Sequence, residues 1–142
     1  MADNNSEIVS EYYENYTDTQ REVLTIEIRK TRNILFILAA IFFVSELLGL
    51  LVLNAVFFLA FVVILIVPAI MVGLGFLAIK EPLIAMIIAS VIIIGLWIYS
   101  IAITGGAAAI TGWLVKGAVI YFIISGFRHA TEANKIKREL KL

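Results

Sequence analysis

The chain has 142 residues, of which 62% are hydrophobic and 15% charged, and its 11 basic residues balance its 11 acidic ones. Soluble domains are usually about 45 to 50% apolar, so a water-soluble fold of this size cannot bury so much apolar surface. The sequence contains no cysteine, which excludes disulfides, zinc–thiolate sites, iron–sulfur ligation and thiol catalysis. Long, continuously apolar runs exclude the alternating strands of a membrane β-barrel, so the composition predicts an all-α membrane protein.

Residues 1–32 are predicted to form a polar N-terminal tail with an acidic first part and a basic part next to the membrane. The acidic start differs from the basic start of a signal peptide, so we expect this N-terminus to be retained. Thr17 and Gln20 fit a capping box, which predicts that a helix begins there. A solvated tail is favoured before Thr17. A helix that docks on a partner or on the membrane remains open, because five apolar residues recur there at helical spacing: Ile8, Val9, Tyr12, Tyr13 and Tyr16.

Two apolar blocks follow, residues 34–79 and 83–127, each about twice as long as one helical crossing of a bilayer. They predict two helical hairpins within a transmembrane domain of residues 33–127. Pro68 lies near the middle of the second helix and predicts a kink there, because proline has no N–H to donate. The expected spans are residues 34–53, 55–79, 83–102 and 107–127, with turns at Asn54, at Lys80–Pro82 and at Thr104–Gly106.

The basic residues near the ends of the four spans all fall on one side, and the opposite turns carry no charge. This asymmetry predicts a multi-pass membrane protein with both termini in the cytoplasm. The last segment, residues 128–142, is expected to continue the fourth helix as a basic tail helix. The residues expected to anchor the protein at the membrane surface are Arg29, Lys30, Arg32, Arg128, Lys135, Lys137 and Arg138.

Glu46 and Lys116 are the only charged side chains inside the two apolar blocks. Charged side chains in the hydrocarbon core cost roughly 2.5 to 3.5 kcal/mol each on insertion scales, so they are candidates for a function. The two lie at similar depth in the predicted spans, which leads to the hypothesis of a buried ion pair within one chain or between copies. Five small residues at helical spacing are expected to allow close helix packing beside this pair: Ala39, Gly49, Gly105, Ala109 and Gly112.

The predicted four spans with a lone glutamate in the first resemble, in architecture, the small multidrug-resistance exporters. Those proteins have short termini, and no site is carried over from them. The C-terminal region is similar to uncharacterised small four-span bacterial membrane proteins, which implies a bacterial inner-membrane location and no particular activity. The residues that carry this second resemblance are Lys116, Phe127, His129, Ala130, Glu132, Ala133 and Ile136.

The sequence contains no pattern that specifies a reaction. His129 is the only histidine, so a paired-histidine metal site is excluded, and neither a Ser-centred elbow nor a Gly-rich phosphate loop occurs. We expect no enzyme activity, no cofactor and no nucleic-acid binding. The partners expected are the lipid bilayer and either further copies of the chain or another membrane protein. A structural or accessory subunit is favoured, and the alternatives are a small proton- or ion-coupled transporter or channel subunit that uses Glu46, and a scaffold that binds a soluble partner through its tails.

Overall fold

A computed structural model describes the backbone of residues 2–53, 58–104 and 112–141, and the side chains of residues 8–48, 65–102 and 112–141. Over these residues the chain forms four α-helices and no β-strand, which confirms the predicted all-α class. The helices are α1, Ala2–Leu53; α2, Phe58–Leu77; α3, Pro82–Thr104; and α4, Trp113–Glu139.

Helix α1 is 52 residues long and runs without interruption from the polar N-terminal segment into the first apolar block. No glycine or proline occurs between Ala2 and Leu48, so no residue in this stretch breaks the helical backbone. At about 1.5 Å per residue the helix is roughly 78 Å long, far more than one bilayer crossing needs. A large part of α1 therefore extends beyond any membrane-spanning segment.

The N-terminal segment is helical from Ala2 onwards, and the side chains of residues 8–16 are exposed, so docking of this helix on a partner or on the membrane stays a prediction. The capping box at Thr17 is wrong. The Thr17 hydroxyl donates to the carbonyl oxygens of Tyr13 at 3.0 Å and Glu14 at 2.8 Å, as threonine does inside a helix. Gln20 donates to the Tyr16 hydroxyl at 3.2 Å and does not cap a helix end. The helical spacing of the apolar residues was the more informative signal.

The turn between α2 and α3 is described in full by the structure. Between α2 and α3 the amide of Glu81 donates to the carbonyl of Leu77 at 2.9 Å, and Pro82 begins α3. Helix α4 begins at Trp113, and Gly112 directly before it has a left-handed backbone with φ of 69°. The predicted turn at Asn54, most of the one at Thr104–Gly106, and the predicted start of the fourth helix at residue 107 lie outside the described residues.

The core brings together side chains from all four helices. Helix α1 packs against each of the other three, and α3 also contacts α2 and α4. The core consists mainly of aliphatic and methionine side chains that bury apolar surface between the helices. Its fully buried large members are Leu35 and Leu38 from α1, Met71 from α2, Met86 and Ile93 from α3, and Val119 from α4.

Two glycines allow neighbouring helices to approach closely. A Cβ atom on Gly75 of α2 would collide with the ring of Phe36 on α1. A Cβ atom on Gly126 of α4 would lie 2.5 Å from the terminal methyl group of Met86 on α3. By contrast, an added Cβ on Gly73 meets no atom within 4 Å. Gly75 and Gly126 are therefore helix-packing positions that the sequence analysis did not single out.

Two helices are long and apolar enough to cross a bilayer, by length and composition, over the described residues: α1 within Ile8–Leu48 and α3 within Pro82–Ala102. The apolar part of α2 whose side chains are described, Leu65–Leu77, is shorter. In the most apolar window of α1 and of α3, only 28% of the residues are buried inside the protein. The remaining residues of these windows are half-buried or exposed, so a substantial part of the apolar surface of the two helices faces outwards.

Candidate functional site

A buried carboxylate lies at the contact between α1 and the last part of α4. Glu27 of α1 retains 9% of its accessible surface. Its Oε2 atom lies 2.5 Å from Nδ1 of His129 on α4, and its Oε1 atom accepts a hydrogen bond from Nζ of Lys30 at 3.0 Å. Both carboxylate oxygens are therefore paired with nitrogen donors, as a buried carboxylate requires.

The charge state of Glu27 follows from two opposing effects. Burial raises the pKa of the Glu27 carboxyl. Hydrogen bonds from Lys30 and His129, together with the positive charges of these groups, lower the pKa by more than burial raises it. The net result is a pKa below the ordinary value of 4.5, so Glu27 is ionised at neutral pH. His129 donates through Nδ1 either as the charged ring or as the neutral tautomer with its hydrogen on Nδ1.

The helical spacing of α1 places Glu27 on the face that packs against α4. Leu24, Glu27 and Thr31 follow one another at intervals of three and four residues, and all three are buried. On α4 this face includes two small residues, Ala130 and Ala133, and both are fully buried. Leu24 packs with Ala133 and Ile136 in a small apolar cluster next to the carboxylate. The polar contact is thus surrounded by close helix packing.

A second polar contact joins α4 to the turn between α2 and α3. Nζ of Lys137 donates to the backbone carbonyl of Lys80 at 2.6 Å and to Oε1 of Glu81 at 3.2 Å. Lys137 is 22% exposed and Glu81 is 48% exposed, so this ion pair is partly solvated. The last turns of α4 are consequently held at two places, by α1 through Glu27 and by the α2–α3 turn through Lys137.

The two charged residues of the apolar blocks lie on different helices. Glu46 is exposed on α1, and Lys116 is half-buried in the first turn of α4. Ion pairs between described side chains include those of Glu27 with Lys30, Glu27 with His129, and Glu81 with Lys137. Pairing of Glu46 with Lys116 therefore stays a prediction.

The predicted packing residues have different positions in the fold. Ala39 is 5% exposed and belongs to the core. Gly112 is exposed and has a left-handed backbone before α4, so it does not lie on a packed helix face as expected. Pro68 is buried inside α2, which continues through it to Leu77, and the kink remains a prediction. Gly105 and Ala109 lie outside the described residues, as does the side-chain environment of Gly49.

The predicted membrane-surface anchors fall into two groups. Lys30 and Lys137 make the specific contacts described above, and the guanidinium of Arg32 lies 5.9 Å from the centre of the Phe36 ring, a cation–π distance. The other predicted anchors are exposed: Arg29, Arg128, Lys135 and Arg138. Three of the seven basic residues therefore contribute to contacts within the protein.

Neither Glu27 nor Glu81 was predicted from the sequence as a site residue, and no contact was predicted for His129. A signal for Glu27 was present, because it is the only acidic residue in the helical series Leu24, Glu27, Thr31, Leu35 and Leu38. No comparable signal pairs Glu81 with Lys137, because that contact depends on how far α4 extends beside the α2–α3 turn.

The chemistry of this arrangement is that of a helix–helix contact. Over the described residues no group of three or more histidine, cysteine, aspartate or glutamate side chains could hold a metal ion. Glu27, Lys30 and His129 satisfy one another's polar groups, and this pairing selects one alignment of α1 against α4. Comparison with known proteins adds no relative, because no family model, no curated protein and no solved structure matches the chain.

Proposed function

We propose that the chain is an integral membrane protein that spans the bilayer four times and has a structural or accessory role. The observation that carries this proposal is the outward-facing apolar surface of α1 and α3, in which only 28% of the most apolar window of each is buried. The core helix of a soluble protein would bury most of such a window. Lipid covers this surface in the proposed arrangement.

The distribution of charge supports an orientation with both termini in the cytoplasm of a bacterial cell. Apart from Lys116 in the first turn of α4, the described basic residues lie in the middle of α1, at the α2–α3 turn and in the second half of α4 or just beyond it. These three regions are neighbours in the structure, because Glu27 contacts His129 and Lys137 contacts the α2–α3 turn. Clustering of positive charge at one end of the bundle is the pattern of cytoplasmic loops.

The structural role rests on the shape of the proposed cytoplasmic part. Beyond the apolar blocks, α1 and α4 continue as a pair of antiparallel helices joined by Glu27, His129 and the cluster of Leu24, Ala133 and Ile136. A rigid helical pair that projects from a membrane bundle suits a protein that positions other proteins. It offers no pocket of reactive groups over the described residues.

Membrane integration is tested by alkaline extraction of the membrane fraction from bacterial cells that express the full chain. We expect the protein to stay in the pellet after carbonate treatment and to enter solution only with detergent, as lipid-embedded helices do. A soluble protein and a peripheral membrane protein expressed in the same cells serve as controls. Release of the chain into the supernatant together with the peripheral control would contradict the proposal.

A second candidate function is favoured by one residue. Glu46 is exposed on the apolar part of α1, where a carboxylate is costly unless it is protonated or paired. A small proton- or ion-coupled transporter would use such a group. Proton flux into liposomes that is present in the parent protein and absent in Glu46→Gln would favour this candidate over the structural role.

A further inference from the structure

Helix α1 carries an exposed apolar face that is separate from the face packed on α4. In the polar half of the helix this face consists of five side chains that are 38% to 71% exposed: Val9, Tyr12, Tyr16, Val23 and Ile26. They follow one another at intervals of three, four, seven and three residues, which is the spacing of the first and fourth positions of a heptad. We call the first and fourth heptad positions of α1, counted from Val9, the seam.

The seam continues into the apolar half of α1 with the same spacing. Ile37 and Val44 follow Val23 at multiples of seven residues and are 41% and 52% exposed. Together with Ala40 they line an open apolar groove of about 400 Å³, which Val115 of α4 borders on one side. Exposed apolar residues therefore recur at heptad spacing on one face of α1 from Val9 to Val44, with three polar residues among them.

The contacts within the chain use a different side of α1. Leu24, Glu27 and Thr31, which are buried against α4, do not occupy seam positions. A heptad repeat of apolar residues on a long helix is the pattern of a coiled coil, in which a second helix covers the first and fourth positions. Over the described residues α1 therefore has one covered face and one seam whose apolar side chains remain exposed, with Val115 of α4 beside its last part.

We propose that the seam binds the seam of a second copy of this chain, parallel and in register. Lipid can cover the part of the seam from Ile37 onwards, but it cannot cover the five apolar seam residues that precede the first predicted span. In a second copy inserted in the same orientation, each seam residue lies at the same height relative to the bilayer. The two seams therefore match both within the first predicted span and before it. This proposal rests on the proposed membrane insertion, which fixes the common height.

Three acidic residues of α1 lie away from the seam. Glu11, Glu14 and Asp18 are exposed on the side of the helix opposite the seam, so a dimer does not bring them together. Three polar residues, Thr19, Lys30 and Asn33, occupy seam positions. Polar residues at such positions fix register and partner number at some cost in stability. The positive charge of Lys30 is matched by Glu27 of the same helix.

The test uses disulfide cross-linking in membranes, because the native chain contains no cysteine. Single variants Tyr12→Cys, Val23→Cys and Ile26→Cys place a thiol in the seam. Glu14→Cys, Asp18→Cys and Thr25→Cys are matched controls on the opposite side of the same turns. After mild oxidation we expect covalent dimers of the three seam variants at several times the yield of the controls. Equal yields at the two sets of positions would overturn the proposal.

Identical positions cross-link efficiently only when the two helices are parallel and in register. Dimers that form only when two different single-cysteine variants are mixed would therefore also overturn it. The same samples are fractionated by alkaline extraction. A chain that stays in the membrane pellet without seam cross-links contradicts the dimer alone, whereas a chain released into the supernatant contradicts the proposed membrane function.

A second experiment uses the exposed seam residues Val23 and Ile26, whose replacement leaves the contact between α1 and α4 intact. The double variant Val23→Glu with Ile26→Glu places charges in the seam, and Thr25→Glu is the control on the other side of the helix. Energy transfer between differently labelled copies in liposomes measures association. We expect the double variant to weaken association at least about tenfold, whereas the control leaves it unchanged. Unchanged association of the double variant would contradict the proposed interface.

Discussion

Nδ1 of His129 lies 2.5 Å from Oε2 of Glu27, although 102 residues separate them in the sequence. This contact joins the first helix of the chain to the last at a point outside the apolar blocks. The small side chains of Ala130 and Ala133 allow the two helices to approach, and Lys30 pairs with the other carboxylate oxygen. The polar ends of α1 and α4 are therefore held together by a defined side-chain contact.

Replacement of Glu27 by glutamine is expected to destabilise the protein by about 2 kcal/mol, because it removes the charge that His129 and Lys30 share. The measurement is thermal or denaturant unfolding in detergent. Glu22→Gln, an exposed position on the same helix, is the control and is expected to change stability by less than about 0.5 kcal/mol. Equal stability of Glu27→Gln and the parent would mean that the contact contributes little.

The stability that Glu27 contributes is expected to depend on pH in a definite direction. The pKa of Glu27 is lower in the folded protein than its ordinary value of 4.5. The contribution is therefore fully present above about pH 4.5 and is lost as the pH falls through the folded-state value. The difference in Tm between the parent and Glu27→Gln should shrink between pH 7 and pH 3.5. A difference that grows on acidification would contradict the assignment.

Gly75 and Gly73 form a matched pair on α2. Gly75→Ala is expected to destabilise the protein by roughly 1 to 3 kcal/mol, because its Cβ would collide with the rigid ring of Phe36. Gly73→Ala adds a methyl group where no atom lies within 4 Å, and it should be neutral or stabilising by up to about 1 kcal/mol. Unfolding of both variants in detergent tests this, and an equal effect of the two would show that α1 and α2 are less closely packed.

Glu46 and Lys116 are tested by a double-mutant cycle with Glu46→Gln, Lys116→Met and the double variant. If the two residues pair within one chain or between copies, each single change leaves a charge in the apolar region without its counterpart. We therefore expect each single variant to lose stability and the double variant to recover part of it. Additive effects would mean that Glu46 acts independently, and proton-flux measurements in liposomes would follow.

The helical class of the fold was predictable from the sequence, because long apolar runs without turn residues leave few alternatives to helices. The helical nature of the first 20 residues was predictable only from the spacing of their apolar residues, since their charge and polarity favoured a tail. Gly112 was misjudged because glycine fits both a close helix contact and a left-handed backbone. Sequence spacing does not distinguish these two uses.

The contact between Glu27 and His129 was harder to predict, because its two residues belong to helices separated by the rest of the chain. The sequence analysis concentrated on Glu46 and Lys116 because they are the charged residues within the apolar blocks. The buried carboxylate of Glu27, by contrast, precedes both blocks. Its position in an otherwise uncharged helical series was the available signal. The identity of its partner depends on the alignment of α4 with α1, which tertiary packing determines.

The most direct test of the four-span account is accessibility of single cysteines in intact bacterial cells to a membrane-impermeant maleimide, with permeabilised cells as the reference. The variants are Asp18→Cys, Lys80→Cys and Lys135→Cys on the proposed cytoplasmic side, and Asn54→Cys and Gly105→Cys on the opposite side. The account predicts labelling of only the last two in intact cells and of all five after permeabilisation. Labelling of Lys80→Cys in intact cells, or protection of Asn54→Cys, would contradict it.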